Sequence, residues 1–350
     1  MIAFYKRHEL IFKRPSGTSR GILKIKETWF LILKDGAQEG IGECGLLRGL
    51  SFDDVPHYEK KLQWVCENIN LGLENLLLSL VDFPSIQFGL EQAFLSLHSK
   101  NPFHLYSSDF LLNESPIEIN GLIWMGSKEF MLEQISDKLE SGFTCIKIKI
   151  GAIDFNTELS LLSSIREVYD KDEIELRVDA NGAFKPKEAL SKLNALAEFD
   201  LHSIEQPIKK GNWKLMADLC KTTPLAIALD EELIGVTEFV EKQELLKSIQ
   251  PQYIILKPSL VGGYKGSQEW INLAEELNIR WWITSALESN IGLNAIAQWT
   301  YTLKNNLPQG LGTGSLFTNN LESPLEVIEG RLFYRKDLSW QTDIIEQLCI

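Results

Sequence analysis

The sequence lacks an excess of basic residues, since its 350 positions include 35 Lys and Arg against 48 Asp and Glu, a formal net charge of −13. Nucleic acids and anionic membrane surfaces are bound by basic faces, so no nucleic-acid partner and no membrane partner are expected. The sequence also lacks an apolar run of about 18 residues, the length that a membrane-spanning helix requires. An anionic ligand would therefore have to be attracted by a local cluster of cations.

Cysteine is scarce, with five scattered residues and no pair in a CxxC arrangement. An odd number of scattered thiols is typical of a protein in a reducing compartment rather than of a disulfide-bonded secreted protein. The first 15 residues have no apolar core followed by a small-residue cleavage site, so no signal peptide is expected. These absences predict a cytoplasmic protein of ordinary composition, with 44% hydrophobic and 24% charged residues.

The first third of the chain has short strand-like segments followed by helical ones. The strand-like segments are 2–12 and 22–34, with a hairpin signal at Asp35-Gly36, and the helical stretches are 53–80 and 84–99. Strands followed by helices predict an α+β domain, which we place at residues 1–115.

After residue 115, short apolar runs alternate with amphipathic helices. The apolar runs are 117–124, 144–150, 174–179, 201–206, 225–230, 253–257, 279–285 and a weak one at 308–313. The helices are predicted at 127–141, 154–169, 186–198, 211–221, 236–248, 264–277 and 290–303. Seven or eight such units predict a parallel α/β barrel over residues 116–318, with its active site at the carboxyl ends of the strands. The tail, residues 319–350, has a strand-like segment at 327–334 and is expected to pack on the first domain.

Three carboxylates end successive apolar runs of this barrel. Asp179, Glu205 and Asp230 are 26 and 25 residues apart, and Lys257 follows 27 residues later, about the length of one barrel unit. Carboxylate oxygens suit a hard divalent cation such as Mg²⁺. Each acid taken singly is more often a helix cap or an ion-pair partner, but three in register with three lysines indicate one metal site.

Two further lysines, Lys147 and Lys149, are spaced i, i+2 on an apolar run, so on a strand both point into the barrel. A lysine there is costly unless it is paired, and the alternative is that both side chains reach the rim. The functional interpretation is a general base with an electrostatic partner. Lys257 is expected to face the same site from the other side, or else to form a rim ion pair with Glu231 or Glu232.

The ordered motifs KIK, VDAN, EQP, ALDE and LKPS resemble the enolase superfamily, in particular its muconate-lactonizing-enzyme subgroup. The resemblance implies a modified TIM barrel, (β/α)7β, with an N-terminal α+β capping domain that the C-terminal tail completes. It implies Mg²⁺, with Mn²⁺ as a possible substitute, bound by Asp179, Glu205 and Asp230. The implied roles of the remaining residues are Lys149 as base, Lys257 as the lysine on the opposite face, Lys147 as a substrate-carboxylate ligand or a modulator of the pKa of Lys149, and Asn181 as a supporting or substrate-contacting residue.

Within that superfamily, the segment SALESNIGLNAIAQ at 285–298 resembles the o-succinylbenzoate synthase family. The resemblance implies that Ser285, Ser289 and the start of the following helix hold an anionic succinyl group. The alternative for Ser289 is simple capping of that helix. Gly312 lies in a GLGT segment that fits the eighth strand end of the same family, where the acidic DxD pattern of dipeptide epimerases is absent.

Two arginines complete the predicted substrate contacts. Arg177 precedes Asp179 by two residues and faces the barrel interior, with a buried ion pair as its alternative role. Arg20, in the loop 16–21, is expected to contact a substrate carboxylate. The loop 44–52 occupies the position of the family's second specificity loop, where members often have Pro in place of Arg48. Either loop has an ordinary surface turn as its alternative.

The resemblance implies a carbon–oxygen lyase that dehydrates 2-succinyl-6-hydroxy-2,4-cyclohexadiene-1-carboxylate to 2-succinylbenzoate in menaquinone biosynthesis. The expected chemistry is α-proton abstraction to a metal-stabilised enediolate. A racemase or epimerase of N-acylamino acids or dipeptides stays open, and in it both Lys149 and Lys257 would transfer protons. A catalytically idle binding barrel is the alternative from another class. The expected partner is a small dianionic substrate, and the protein is expected to be a monomer or a homo-oligomer.

Overall fold

In the computed structural model, which describes residues 1–18, 21–341 and 344–345, the chain begins with a three-stranded antiparallel sheet. Its strands are β1 (Ile2–Thr18), β2 (Gly21–Asp35) and β3 (Gln38–Gly45). The predicted turn at Asp35-Gly36 joins β2 to β3, and Gly36 has the positive φ of 62° that such a turn needs. Successive side chains of β2 point to opposite faces, so Trp29 and Leu31 pack on helices while Phe30 packs on the other side.

Four helices follow the first sheet. They are α1 (Tyr58–Glu67), α2 (Leu73–Leu78), α3 (Pro84–His98) and α4 (Asp109–Leu112), with a 3-10 turn at Ile69–Leu71. The helical stretch predicted around 53–80 is divided into α1, the 3-10 turn and α2, and Gly72, with φ of 80°, separates the last two. Helix α3 lies directly on β3, since a Cβ at Gly42 would come 1.9 Å from the carbonyl oxygen of Gly89.

The middle of the chain forms a curled, seven-stranded parallel sheet with its strands in sequence order from β5 to β11. The first apolar run divides into β4 (Ile117–Glu118), which belongs to another sheet, and β5 (Gly121–Ile123). The remaining elements are α5 (Lys128–Glu140), β6 (Cys145–Lys149), α6 (Phe155–Arg166), β7 (Glu175–Asp179), α7 (Pro186–Ala197), β8 (Ser203–Glu205), α8 (Trp213–Thr222), β9 (Ile227–Leu229), a 3-10 turn (Glu231–Leu233), α9 (Phe239–Ile249), β10 (Tyr253–Leu256), α10 (Pro258–Val261), α11 (Gly263–Glu276), β11 (Arg280–Ile283) and α12 (Asn290–Thr302).

The eighth position of the barrel is filled by two single-residue bridges. Gln309 pairs with Ile119 and Gly310 pairs with Thr284, both in parallel. The N–H of Gln309 donates to the carbonyl of Glu118 at 2.8 Å, and that of Gly310 donates to Ile283 at 2.8 Å. The weak apolar run at 308–313 therefore closes the barrel without forming a strand. Only glycine fits at position 310, because a Cβ there would lie 2.4 Å from Thr284 Oγ1.

The tail forms a hairpin that joins β4. Strands β12 (Leu325–Ile328) and β13 (Arg331–Tyr334) pair with each other, and β13 also pairs with β4. The single strand-like segment predicted at 327–334 is thus parts of two strands with a turn between them. Beyond it, Ile344 and Ile345 pack with Phe30 on the outer face of the first sheet. The division into units of 1–115, 116–318 and 319–350 stays a prediction.

The first sheet also contacts the barrel, through β1. Phe12 of β1 forms an antiparallel bridge with Phe317, and the two rings meet edge to face at 4.7 Å between centroids. The N–H of Lys13 donates to Leu316 O at 2.8 Å. This contact holds the far end of β1 beside the loop that follows the eighth barrel position. Within the described ranges, no helix combines the length and apolarity that crossing a membrane would take.

Candidate active site

The strands β6, β7 and β8 bring the predicted lysines and acids together in register. Lys149 pairs with Asp179, and Asp179 pairs with Glu205. Lys149 Nζ donates to Asp179 Oδ2 at 2.9 Å. Lys147 Nζ lies 2.5 Å from Glu205 Oε2 and 3.2 Å from Asp179 Oδ2, so one ammonium group bridges two acids.

The next two strand ends complete the cluster. Asp230 directly follows β9, and Lys257 directly follows β10. Lys257 Nζ donates to Asp230 Oδ2 and lies 3.9 Å from Glu205 Oε1. Three ammonium groups and three carboxylates thus share one buried site, and each of these side chains is at most 12% exposed.

Burial and charge act against each other on these groups. Burial alone would lower the pKa of Lys147, but Glu205 and Asp179 together raise it well above its ordinary value. Burial alone would raise the pKa of Asp179, yet Lys149 and Lys147 hold it well below its usual range. Burial and the adjacent Asp179 carboxylate raise the pKa of Glu205 to about 7. Additional positive charge beside Glu205 would favour its carboxylate form.

The acids fit a hard divalent cation. They offer carboxylate oxygens from three adjacent strand ends, and Glu205 Oε1 is buried without a hydrogen-bond donor. Among the residues that the structure describes, no three His, Cys, Asp or Glu side chains converge closely enough to form a metal site as they stand. Instead, Lys147 and Lys257 each lie between two of the carboxylates. The assignment of Asp179, Glu205 and Asp230 as metal ligands stays a prediction.

Lys149 has two further neighbours that orient it. Its ammonium group donates to Asn181 Oδ1 at 2.8 Å and lies 5.9 Å from the centre of the Trp124 ring. The amide of Asn181 donates in turn to Glu231 Oε1 at 3.0 Å. Asn181 has φ of 43°, in the left-handed region that asparagine tolerates better than most residues. The arrangement fixes the Nζ atom of Lys149 at three points.

A cavity of about 500 Å³ opens beside the lysines and combines apolar and cationic walls. Leu47, Trp124 and Leu287 belong to one apolar cluster and line it. The described residues that line it include seven Lys or Arg and two Asp. In a protein of net charge −13, the described lining of this cavity thus has more cationic than acidic side chains.

Two of the predicted substrate contacts, Ser285 and Gly312, line the same cavity as the lysines. Ser285 lines the cavity, and its hydroxyl is 2.7 Å from that of Thr313. Gly312 lines the cavity as well, and a Cβ there would come 3.3 Å from Ile119 Cδ1. The absence of a side chain at this position keeps the cavity open toward β5.

The chain resembles proteins of known family over nearly all of its length. Residues 131–336 match the family model described as enolase C-terminal domain-like. The chain is 47% identical to the o-succinylbenzoate synthase of Desulfotalea psychrophila strain LSv54, over 94% of this chain and 97% of that protein. The chain belongs to the o-succinylbenzoate synthase family of the enolase superfamily.

Solved structures agree with this membership. The crystal structure of MenC from Desulfotalea psychrophila LSv54 superimposes with a TM-score of 0.84 and 44% identity, over 95% of this chain and 99% of that one. By sequence, the chain is also 26% identical to the L-Ala-D/L-Glu epimerase of Bacillus subtilis strain 168, over 54% of this chain and 51% of that protein. The predicted modified barrel with its N-terminal capping domain is confirmed as the superfamily fold.

The structure gives Ser289, predicted from the synthase family as a substrate contact, a different partner. Ser289 is absent from the described lining of the cavity, and its hydroxyl and N–H both donate to the carboxylate of Glu43, from β3. The N–H of Gly292 donates to the same carboxylate at 2.9 Å. The start of α12 is therefore occupied by an acid of the first sheet, and the alternative of helix capping describes Ser289 better.

Arg177 also has other contacts than the family-based expectation gave it. Arg177 points into the barrel as predicted, but it does not line the cavity: it bonds to Glu175 at 2.7 Å, donates to Pro308 O at 2.9 Å and stacks on Trp282. Its alternative role as a buried ion-pair partner fits these contacts. Arg20 lies outside the described residues.

The loop 44–52 contributes Leu47, Arg48 and Leu50 to the cavity lining. The guanidinium of Arg48 bonds to Glu27 and Asp54, each at 2.5 Å. Sequence reasoning missed Trp124 and Thr313, which also line the cavity. Trp124 ends the first apolar run of the barrel, and Thr313 ends the GLGT segment, so the position of each at a strand end was a usable signal.

Proposed function

We propose that this member of the o-succinylbenzoate synthase family dehydrates 2-succinyl-6-hydroxy-2,4-cyclohexadiene-1-carboxylate to 2-succinylbenzoate, in menaquinone biosynthesis. The observation that carries the proposal is the placement of Lys149 and Lys257 on one cationic cavity, beside three buried acids. The 47% identical relative bears the name of this activity. A small dianionic substrate suits a cavity whose lining has more cations than acids.

In the proposed reaction, Lys149 acts as the neutral amine and its Nζ lone pair takes the proton from the ring carbon that bears the carboxylate, which makes Lys149 an ammonium group. The electron pair left by that proton first forms an enediolate and then the new ring double bond. The carbon–oxygen bond at the neighbouring carbon breaks, and the proton held by Lys149 leaves with the hydroxide as water. Asn181 and Asp179 hold the Nζ atom of Lys149 in place for both transfers.

Lys257 takes an electrostatic role in this scheme. It contacts Asp230 and Glu205, on the opposite side of the acid cluster from Lys149, and it lines the same cavity. A positive group aimed at the developing negative charge lowers the barrier without moving a proton. Asp179, Glu205 and Asp230 would hold Mg²⁺, with Mn²⁺ as a substitute, and the ion would supply further positive charge to the substrate carboxylate.

A racemase or epimerase is the second candidate, because both lysines line one cavity and the matching Bacillus subtilis relative is named an epimerase. The two activities differ in what they require of Lys257. Replacement of Lys257 by methionine would leave a dehydratase its base, whereas a two-base racemase would lose its second proton donor.

The deciding experiment follows the loss of cyclohexadiene absorbance when purified protein and Mg²⁺ meet the substrate. We expect turnover that chelator abolishes and that Lys149→Ala lowers by about 10³-fold. In parallel, α-proton exchange of N-succinylamino acids is measured in D₂O. Exchange without dehydration would overturn the proposal in favour of the racemase, and neither activity would favour a binding protein.

A further inference from the structure

Gln206 is a buried residue next to Glu205 that no catalytic role accounts for. It is 0% exposed, and its backbone φ of 38° lies in the left-handed region that L-residues rarely adopt. A long polar side chain in such a backbone conformation needs strong local support, because unpaired buried amides are costly. The side-chain amide of Gln206 makes four hydrogen bonds, and three of them reach the neighbouring strand end.

The side chain of Gln206 connects the strand end of Glu205 with that of Asp230. Its Oε1 accepts the N–H of Asp230 at 3.3 Å and that of Glu232 at 3.2 Å. Its Nε2 donates to Glu232 Oε2 at 3.0 Å and to Ile208 O at 3.0 Å. The other oxygen of Glu232 accepts the N–H of Gly211 at 2.7 Å, so Glu232 is itself held on both sides.

The main chain of Gln206 extends the connection to the third acid. Its carbonyl accepts the N–H of Gly182, three residues after Asp179, at 2.7 Å. Its N–H donates to Ala228 O, two residues before Asp230, at 2.9 Å. One residue therefore touches the strand ends that carry all three acids, although its own side chain is absent from the described cavity lining.

We propose that Gln206 is the positioning residue that sets the spacing of Asp179, Glu205 and Asp230 for a divalent cation. The inference rests on the metal site of the proposed function. The β8–β9 pairing ends at Glu205 and Ala228, so the backbone ladder stops short of Asp230. The side-chain amide of Gln206 bonds to the backbone beyond the end of that ladder. It thereby holds the backbone of Asp230 where the Asp230 carboxylate must converge with that of Glu205.

The test is the affinity of the protein for Mn²⁺. Electron paramagnetic resonance measures the concentration of free Mn²⁺, so the affinity is obtained without any enzymatic turnover. Gln206→Met keeps the length of the side chain and removes its four hydrogen bonds. We expect its Kd to rise by about 10- to 100-fold, the range for partners that orient metal ligands. Gln206→Glu keeps the acceptor for Asp230 and Glu232 N–H but faces the Glu232 carboxylate, so a smaller rise is expected.

Gln298→Met is the matched control. Gln298 is also 0% exposed, and its amide bonds to the backbone of Phe103 and Leu105, remote from the acids. Its loss should lower thermal stability as the loss of Gln206 does, but leave Mn²⁺ affinity within about threefold of wild type. Equal Mn²⁺ affinities of Gln206→Met and wild type would overturn this inference and leave the proposed function intact. So would a loss of Mn²⁺ affinity in Gln298→Met as large as that in Gln206→Met.

Two further outcomes are informative. If Gln206→Met does not fold, Gln206→Glu decides, and Mn²⁺ affinity within threefold of wild type would overturn the inference. If wild type binds no Mn²⁺, the metal site of the proposed function falls, and the positioning role falls with it. Mn²⁺ binding by the wild-type protein thus tests the metal site of the proposed function separately, before any variant is compared.

Discussion

The carboxylate of Glu43 accepts hydrogen bonds from the hydroxyl and the N–H of Ser289, at 2.5 and 2.9 Å, across 246 positions of sequence. An acid of the first sheet therefore caps a helix of the barrel, and Ser289 follows the cavity-lining segment 285–287 by two residues. The positive end of a helix favours a negative charge at this place. The contact between the two units is thus also a support for the cavity wall.

Glu43→Gln should destabilise the protein by about 2 kcal/mol, because an amide NH₂ would face N–H donors at the start of α12. Urea unfolding at pH 7.5 measures the change. Glu39→Gln, on the same strand and in a partly exposed pair with Lys34, serves as the control and should cost less than about 1 kcal/mol. Equal stability of Glu43→Gln and wild type would contradict the capping role.

Asn181→Gly and Asn181→Ala should lower kcat to a similar extent, by about 10- to 100-fold, since both remove the oxygen that holds Lys149. Only the alanine variant should also lose stability, by about 1 kcal/mol, because alanine fits poorly at a φ of 43°. Steady-state kinetics and urea unfolding separate the two effects. An active glycine variant would show that the amide does not position Lys149.

Ser285→Ala and Ser289→Ala should have different effects, although the family resemblance implies substrate binding for both. Ser285 lines the cavity, so its alanine variant is expected to raise KM by about fivefold with little loss of stability. Ser289 bonds to Glu43, so its variant should lose about 1 kcal/mol of stability with KM nearly unchanged. A KM effect confined to Ser289→Ala would reverse the assignment.

His202 should make the protein less stable in weak acid. Its side chain is 15% exposed, its ring centre lies 4.8 Å from that of Tyr253, and burial lowers its pKa to about 4. Because the unfolded pKa is about 6.5, the folded state binds fewer protons between these values, and stability falls as pH drops from about 6.5 to 4. The group accounts for up to about 3 kcal/mol.

Urea midpoints at pH 7.5 and pH 5 test this titration. His202→Gln removes the ionisable ring, so its stability should fall less between the two pH values than that of wild type. If both proteins lose the same stability, the buried imidazole is not the group responsible.

The acid and lysine cluster was predictable because the signals are local. Each residue ends an apolar run, and parallel strands bring their carboxyl ends to one edge. The depth of a side chain along a strand was not predictable in the same way. Alternation places Arg177 on the same face as Asp179, but two residues of strand move it about 7 Å deeper, below the cavity.

Contacts between distant segments were also beyond the sequence. Nothing near Ser289 marks Glu43 as its partner, because a helix N-terminus suits a substrate anion as well as an internal carboxylate. The apolar run at 308–313 was a weak signal for an eighth strand. Only two bridging residues, Gln309 and Gly310, close the barrel there, so no longer apolar run is required. The boundaries of the three units stay a prediction, as do the residue roles at the site.

The cavity wall joins the beginning of the chain to its last quarter, through Phe12 and Phe317 on the rim and Glu43 and Ser289 behind it. During synthesis on a ribosome, the strands that carry the lysines and acids emerge by residue 257, well before residues 285–317 that complete the pocket. Contacts so distant in sequence form late in folding. The wall that completes the cavity is therefore missing from a nascent chain until residues 285–317 have been synthesised.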